Sequence, residues 1–234
     1  MSAASPPEVE VTEYTDPLCP WAWGAAPLFA RLRTAWGDRT RWRRVYAILF
    51  DEDEEPAPDP AAETAWYAGY VAEVCAVTGA SYAPRLARVA ATSWPASCVA
   101  KAAERQGAEV AEEVLRRLRA TMFVHGEPAD TLPLALAAAR GVPGLDAARL
   151  ASDAASPGVR TAVAADHAEA RRPVAAAFAV TDGGPHPGRA KETPAGEWRY
   201  ALPTLRLHGP GGEALVPGWR AREAYEAALR TVGG

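Results

Sequence analysis

The 234-residue sequence predicts an α/β fold in which an all-helical block interrupts a strand-bearing unit. Three observations carry that expectation. Strand, helix and strand patterns come first. Helical periodicity then runs from about Ala61 to Arg172, and two strand patterns with a final helix close the chain. No internal repeat is visible. A chain of this length can bury a sizeable core, as one domain or two closely packed ones.

Taken in order, the first strand falls at Val9 to Tyr14, where Val9, Val11 and Thr12 favour extended backbone. It runs into Thr15-Asp16-Pro17-Leu18-Cys19-Pro20, and a helix follows to about Trp36, with Pro20 in the first turn and Gly37 as the stop. Pro27 lies inside that helix and is expected to kink it. A second strand is expected from Thr40 to Leu49, then a solvated acidic and proline-rich connection from Asp51 to Pro60. In the helical block, Trp66, Tyr70, Val74 and Val77 recur at helical spacing and end at Gly79; Val110, Val114, Leu118 and Met122 form a second stripe. Thr131 and Pro133 open a third helix that Gly141 closes, and Ser156-Pro157 opens a fourth. Asp182 to Gly196 is rich in glycine and proline without periodicity and reads as a long mobile loop. A strand at Tyr200 to His208, a glycine-rich turn, a short strand at Ala214 to Pro217 and a helix from Ala221 complete the pattern.

The bulk numbers exclude several classes. A net charge of -4 gives no electrostatic reason for a nucleic-acid or anionic-membrane partner. No stretch approaches the roughly 20 apolar residues of a membrane span. Met1 to Glu8 has neither the basic start nor the apolar core of a secretory signal, so a cytoplasmic location is expected. Cys19, Cys75 and Cys98 are an odd count without CxxC spacing, which argues against a disulfide framework. The histidines at 125, 167, 186 and 208 show no ligand spacing, so no metal is expected.

Chemistry concentrates at Cys19. A helix N-terminus presents unpaired N–H groups and the positive end of the helix dipole, which stabilise a thiolate; a thiolate there is a nucleophile at neutral pH. The bland alternative is a small buried side chain under a turn.

Tyr14-Thr15-Asp16-Pro17-Leu18-Cys19-Pro20-Trp21-Ala22-Trp23-Gly24 resembles the active-site entry of the DsbA-like oxidoreductases. Their pattern is a strand, Asp-Pro-x-Cys-Pro-Trp-Cys and a helix. Ala201-Leu202-Pro203-Thr204-Leu205 resembles their cis-proline strand, and Pro217-Gly218-Trp219 with the last helix resembles their closing hairpin and helix. The run Thr92-Ser93-Trp94-Pro95-Ala96-Ser97-Cys98, continued by Leu118 to Glu127, is similar to the insertion of the cytoplasmic branch that includes the FrnE-like oxidoreductases and SpxH-type adaptors. The resemblance spans about Val9 to Val232. It implies a thioredoxin-like fold of DsbA type in residues 1–58 and 173–234, with a helical domain inserted at 59–172. It also implies Cys19 as nucleophile, Trp21 shielding the site, and Pro203 with the Leu202 backbone on the opposite wall, where a bound thiol or peptide would pair.

One departure bears on mechanism. Ala22 stands where the family has its second cysteine, so the local disulfide of a CxxC pair cannot form. Three replacements remain open. A small thiol, glutathione or mycothiol, could serve as cosubstrate for monothiol reduction, thiol transfer or thiol-assisted isomerisation against an electrophilic or disulfide substrate; the arginine-biased composition of a GC-rich genome favours mycothiol. Cys98, or less favourably the helix-packed Cys75, could resolve from a distance. Or redox chemistry is lost and the fold binds a protein partner. Pro20, Trp21, Ala22, Ser93, Trp94, Cys98, Leu202 and Pro203 are therefore the candidate substrate- or thiol-binding residues around Cys19. Trp94 and Trp23 could equally be core aromatics, Ser93 and Thr92 helix caps, Asp16 the organiser of its own turn, and His186 a solvated loop histidine.

Overall fold

The computed structural model describes residues 8–53, 55–181 and 184–234. The expectations for the N-terminal segment and for the start of the loop at 182 fall partly on residues 1–7 and 182–183, which lie outside the described residues. In chain order the elements are β1 (Val9–Thr15), α1 (Pro20–Trp36), a single 3-10 turn (Gly37–Arg39), β2 (Thr40–Tyr46), α2 (Pro60–Thr78), α3 (Trp94–Glu104) and α4 (Ala108–Phe123). Then come α5 (Leu132–Ala138), α6 (Ala147–Ala154), α7 (Pro157–Ala170), α8 (Ala175–Phe178), β3 (Lys191–Glu192), β4 (Trp198–Arg199), β5 (Thr204–Gly209), β6 (Gly212–Pro217) and α9 (Arg222–Gly233). They form two compact units. One comprises the chain to Thr15, Ala25–Ala47 and Glu169–Gly234; the other comprises Asp16–Gly24 and Ile48–Ala168.

The first unit is built on a four-stranded sheet of order β2-β1-β5-β6. β1 runs parallel to β2, with Val9 opposite Thr40 and Thr15 opposite Tyr46; β5 is antiparallel to both β1 and β6. Val9, Val11, Leu205 and Leu207 from the sheet pack with Leu28, Phe29 and Leu32 of α1 and Tyr225, Leu229 and Val232 of α9. Glu13, buried in β1, is compensated by ion pairs with Arg33 and with Arg44 at 3.3 Å. The second strand stops three residues before its expected end, and Ile48 then takes a φ of 51°, a left-handed conformation that strand pairing cannot accommodate. α1 continues through Pro27 without interruption. The expected strand from Tyr200 begins only at Thr204, after a cis Leu202–Pro203 bond.

The segment read as a mobile loop is structured among its described residues. Lys191–Glu192 pairs with Trp198–Arg199 as a short antiparallel ladder. His186, expected in solvent, is buried; its Nδ1 accepts the Gly188 N–H at 3.1 Å. Burial, with Lys191 and Arg220 adding their positive charge, pushes its ionisation down to about 3, so the ring is neutral at physiological pH.

The second unit is helical. α2 starts and stops where its sequence says: the Asp59 side chain accepts from the Ala61 and Ala62 N–H groups, and Gly79 ends the helix at φ 74°. The buried face shares only Val74 with the expected stripe. Tyr67, Val71, Val74 and Cys75 are inside, whereas Trp66 is 67% and Val77 45% exposed. Adjacent helix positions point about 100° apart, and it is Tyr67 that packs with Leu18, Phe123 and Met122 in this core. Val110, Val114, Leu118 and Met122 of α4 are all buried as expected. The third predicted helix opens on its Thr131 cap but ends at Ala138, short of Gly141. α6 and α8 had no counterpart in the periodicity, though Asp146 caps α6 through the Arg149 N–H. Gly24 is required by closeness: a Cβ there would lie 2.5 Å from the Thr78 side chain at the end of α2.

Candidate active site around Cys19

Asp16 organises the stretch that carries Cys19. Its carboxylate is fully buried, and Oδ1 accepts the Leu18 N–H at 2.7 Å and the Ser93 hydroxyl at 3.1 Å. Oδ2 accepts the Leu49 N–H at 2.7 Å. One side chain thus ties the loop to two segments distant in sequence. The Cys19 N–H turns back to the Asp16 carbonyl at 3.3 Å, and the Cys19 carbonyl accepts the Trp23 N–H at 3.0 Å. Cys19 is therefore the last residue before α1, in the N-cap position, with Pro20 as the first helical residue. Ala22, in the position of a second thiol, is buried in the first turn.

α2 supplies two phenols beside this turn. The Tyr67 hydroxyl donates to the Leu18 carbonyl at 3.4 Å, and the Trp21 indole N–H donates to the Tyr70 hydroxyl at 2.7 Å. Trp66, in solvent, lies parallel to the Tyr70 ring with centroids 5.8 Å apart. Trp23 donates its indole N–H to the Ser81 carbonyl at 2.8 Å and stacks with Phe123, so it belongs to the support.

Ser93 is wholly buried, and its hydroxyl both donates to Asp16 and accepts the Phe50 N–H at 3.3 Å. It makes no side-chain cap on α3. Arg88 holds the chain just before it, pairing with the buried Asp130, whose Oδ2 also accepts the Ala91 N–H at 2.9 Å.

Trp94 faces other neighbours. Its indole N–H donates to Asp51 Oδ1 at 3.0 Å, the Arg160 guanidinium lies 3.6 Å from the ring centroid, and His167, 2.9 Å from Asp51 Oδ2, lies beside it. Trp94, Cys98, Leu132 and Arg160 line a cavity of about 390 Å³ whose described lining does not include Cys19. Burial pushes the Cys98 thiol up, the Arg160 charge partly opposing it. Cys75 is in the apolar core, where burial pushes its thiol up to about 11. None of the three cysteines is in a disulfide.

In the other unit, Leu202 and Pro203 are buried, and the Thr204 hydroxyl closes the turn around their cis bond by donating to the Ala201 carbonyl at 2.6 Å. Among the described residues no group of histidine, cysteine or carboxylate side chains could hold a metal ion, and no helix is long and apolar enough to cross a membrane. The sequence reading missed Tyr67, and with it the phenol pair on α2. The 67/70 spacing was visible, but nothing local indicated which face of α2 meets the loop.

A family model described as thioredoxin matches residues 13–172. No curated protein matches the chain. Among solved structures, a Nitrosomonas europaea protein proposed to be a disulfide isomerase is similar at 16% identity and a TM-score of 0.72, covering 96% of this chain and 97% of that one. The cytosolic disulfide reductase DsbM of Pseudomonas aeruginosa, also solved with GSH, is similar at 18% identity and a TM-score of 0.64, covering 94% and 98%. A DsbA oxidoreductase candidate from Streptomyces coelicolor is similar at 18% identity and a TM-score of 0.61, covering 96% and 90%.

Proposed function

Since this chain belongs to the thioredoxin family and has the fold of the DsbA-type thiol-disulfide oxidoreductases, we propose that it is a thiol-dependent oxidoreductase or thiol transferase working through Cys19 alone. The observation that carries the reading is the N-cap placement of Cys19 beside Ala22. A nucleophilic sulfur sits where the helix field favours its anion, with no thiol in the next turn to resolve it. Cys75 and Cys98 are poorly suited to replace the missing thiol, since both are buried and burial pushes both thiols up, away from the thiolate.

In this reading the Cys19 thiolate attacks one sulfur of a disulfide R–S–S–R′, forming Cys19–S–S–R and expelling R′S⁻. A low-molecular-weight thiolate then attacks the substrate sulfur of that bond, carrying away R as a new disulfide and returning Cys19 as thiolate. Glutathione or mycothiol fits the role chemically, and the DsbM homologue solved with GSH supports a small-thiol site on this fold. The reading keeps Trp21 as the shield of the sulfur and Leu202, next to its cis proline, as the backbone offered to a bound thiol. Ser93 enters as the brace of Asp16, and Trp94 with Cys98 as the wall of a separate cavity. A cytoplasmic location and the 59–172 boundaries of the helical insertion belong to the same reading.

A second reading, a protein-binding adaptor without redox chemistry, draws on one feature. Exposed Tyr82 borders an 860 Å³ groove along α2, lined by Ala61, Ala65, Ala68 and Ala72. One experiment separates the two: intact-mass analysis after exposure to oxidised glutathione or mycothiol disulfide. A single adduct mapped to Cys19, absent from Cys19→Ser, is the expected result. No adduct, with Cys19 alkylating no faster than an ordinary cysteine, would overturn the enzyme in favour of the adaptor.

A further inference from the structure

α2 holds both flanks of Cys19 with side chains one helical turn apart. Tyr70 fixes Trp21, two residues after the sulfur, and Tyr67 reaches the peptide group that joins Leu18 to Cys19. The two contacts differ in quality. The bond to Trp21 is short at 2.7 Å, whereas Tyr67 to Leu18 is long at 3.4 Å, beyond the roughly 2.5–3.0 Å of a well-made O–H···O bond. The Tyr67 ring is 7% exposed and packed edge-on against Phe50, so its ring is held and its hydroxyl proton remains free to rotate.

We propose that the Tyr67 hydroxyl is a hydrogen-bond donor to the Cys19 sulfur, stabilising the thiolate before attack and again when Cys19 leaves. This inference rests on Cys19 being the nucleophile. A hydrogen bond to an anion is about twice as strong as one to a neutral carbonyl, so charge on the sulfur draws the proton away from Leu18. No proton is transferred. Burial, and then the proximity of Cys19, Tyr70 and Asp16, holds the phenol's ionisation well above its ordinary value, so it keeps its proton throughout the working range. Asp16 from the loop and Tyr67 and Tyr70 from α2 are titratable side chains near this stretch. The Asp16 carboxylate is a like charge to a thiolate, and a neutral donor offsets part of that repulsion.

Tyr67→Phe keeps the ring and removes the donor. The readout is the pH dependence of Cys19 alkylation by iodoacetamide, followed by peptide mass, with thermal unfolding alongside. The expected midpoint rises by about one pH unit, and the plateau rate at high pH rises about threefold, because a less stabilised thiolate is a stronger nucleophile. Below both midpoints the two effects combine to roughly threefold slower alkylation. A displaced loop would change access and alter the rate at every pH without moving the midpoint. A Tyr67→Phe midpoint equal to that of a reactive wild type overturns this inference alone. A wild type whose Cys19 is no more reactive than an ordinary cysteine overturns the functional reading and this inference with it.

Discussion

Helices α1, α2 and α7 each begin with proline after a short polar side chain: Cys19, Asp59 and Ser156. At α2 the Asp59 carboxylate accepts two first-turn N–H groups, at 3.1 and 3.0 Å, and at α7 the Ser156 hydroxyl accepts the Val159 N–H at 3.3 Å. These caps satisfy donors that the helix itself leaves orphaned. At α1 the same position holds sulfur, a weak acceptor. The local grammar is shared, but α1 gives up an oxygen cap and places a thiol in the field of the helix. Its order comes from elsewhere, namely from the Asp16 carboxylate behind the loop.

The largest test of that contrast is therefore Asp16→Ala. It leaves the Leu18 and Leu49 N–H groups and the Ser93 hydroxyl without their acceptor, and should lower stability by about 3 kcal/mol in urea denaturation. A loss below about 1 kcal/mol would show that the loop is held by other means.

A smaller effect separates the cap cysteine from the core cysteine. The Cys75 thiol is pushed from 9.0 to about 11 in the folded protein, so only the unfolded chain releases this proton between those values. Its contribution is intact below pH 9 and is lost as pH rises through 11, by about 2–3 kcal/mol. Cys75→Ala should flatten the alkaline limb of a stability-versus-pH curve; an unchanged limb would remove Cys75 as its cause.

The smallest effects compare the caps directly. Ser156→Ala should cost about 1 kcal/mol, whereas Cys19→Ser, which supplies a better cap, should be neutral or stabilising by up to about 1 kcal/mol while abolishing adduct formation. A Cys19→Ser protein destabilised by more than Ser156→Ala would mean that sulfur packing, and not capping, governs the start of α1.

What could be read from the sequence was whatever short-range rules govern. The end of α2 follows from Gly79, the buried face of α4 from its own period, and the placement of Cys19 from a strand running into a proline-led helix. The Asp-Pro-x-Cys-Pro-Trp run also carried the resemblance that pointed to the candidate site, and Ala22 stands where a second thiol would be expected. Tertiary structure decided the rest, because each remaining choice depended on partners far along the chain. Trp66 and Tyr67 are neighbours on one helix, and only packing against Leu18, Met122 and Phe123 put Tyr67 inside and Trp66 in solvent. Asp16 meets Ser93 across 77 residues, and Tyr67 meets Leu18 across 49, distances over which no periodicity carries information. His186 is neutral and buried although its segment reads as loop, since a histidine's environment is set by what folds over it. The place of the Cys19 thiol was local; the groups packed around its turn were assembled only by the fold.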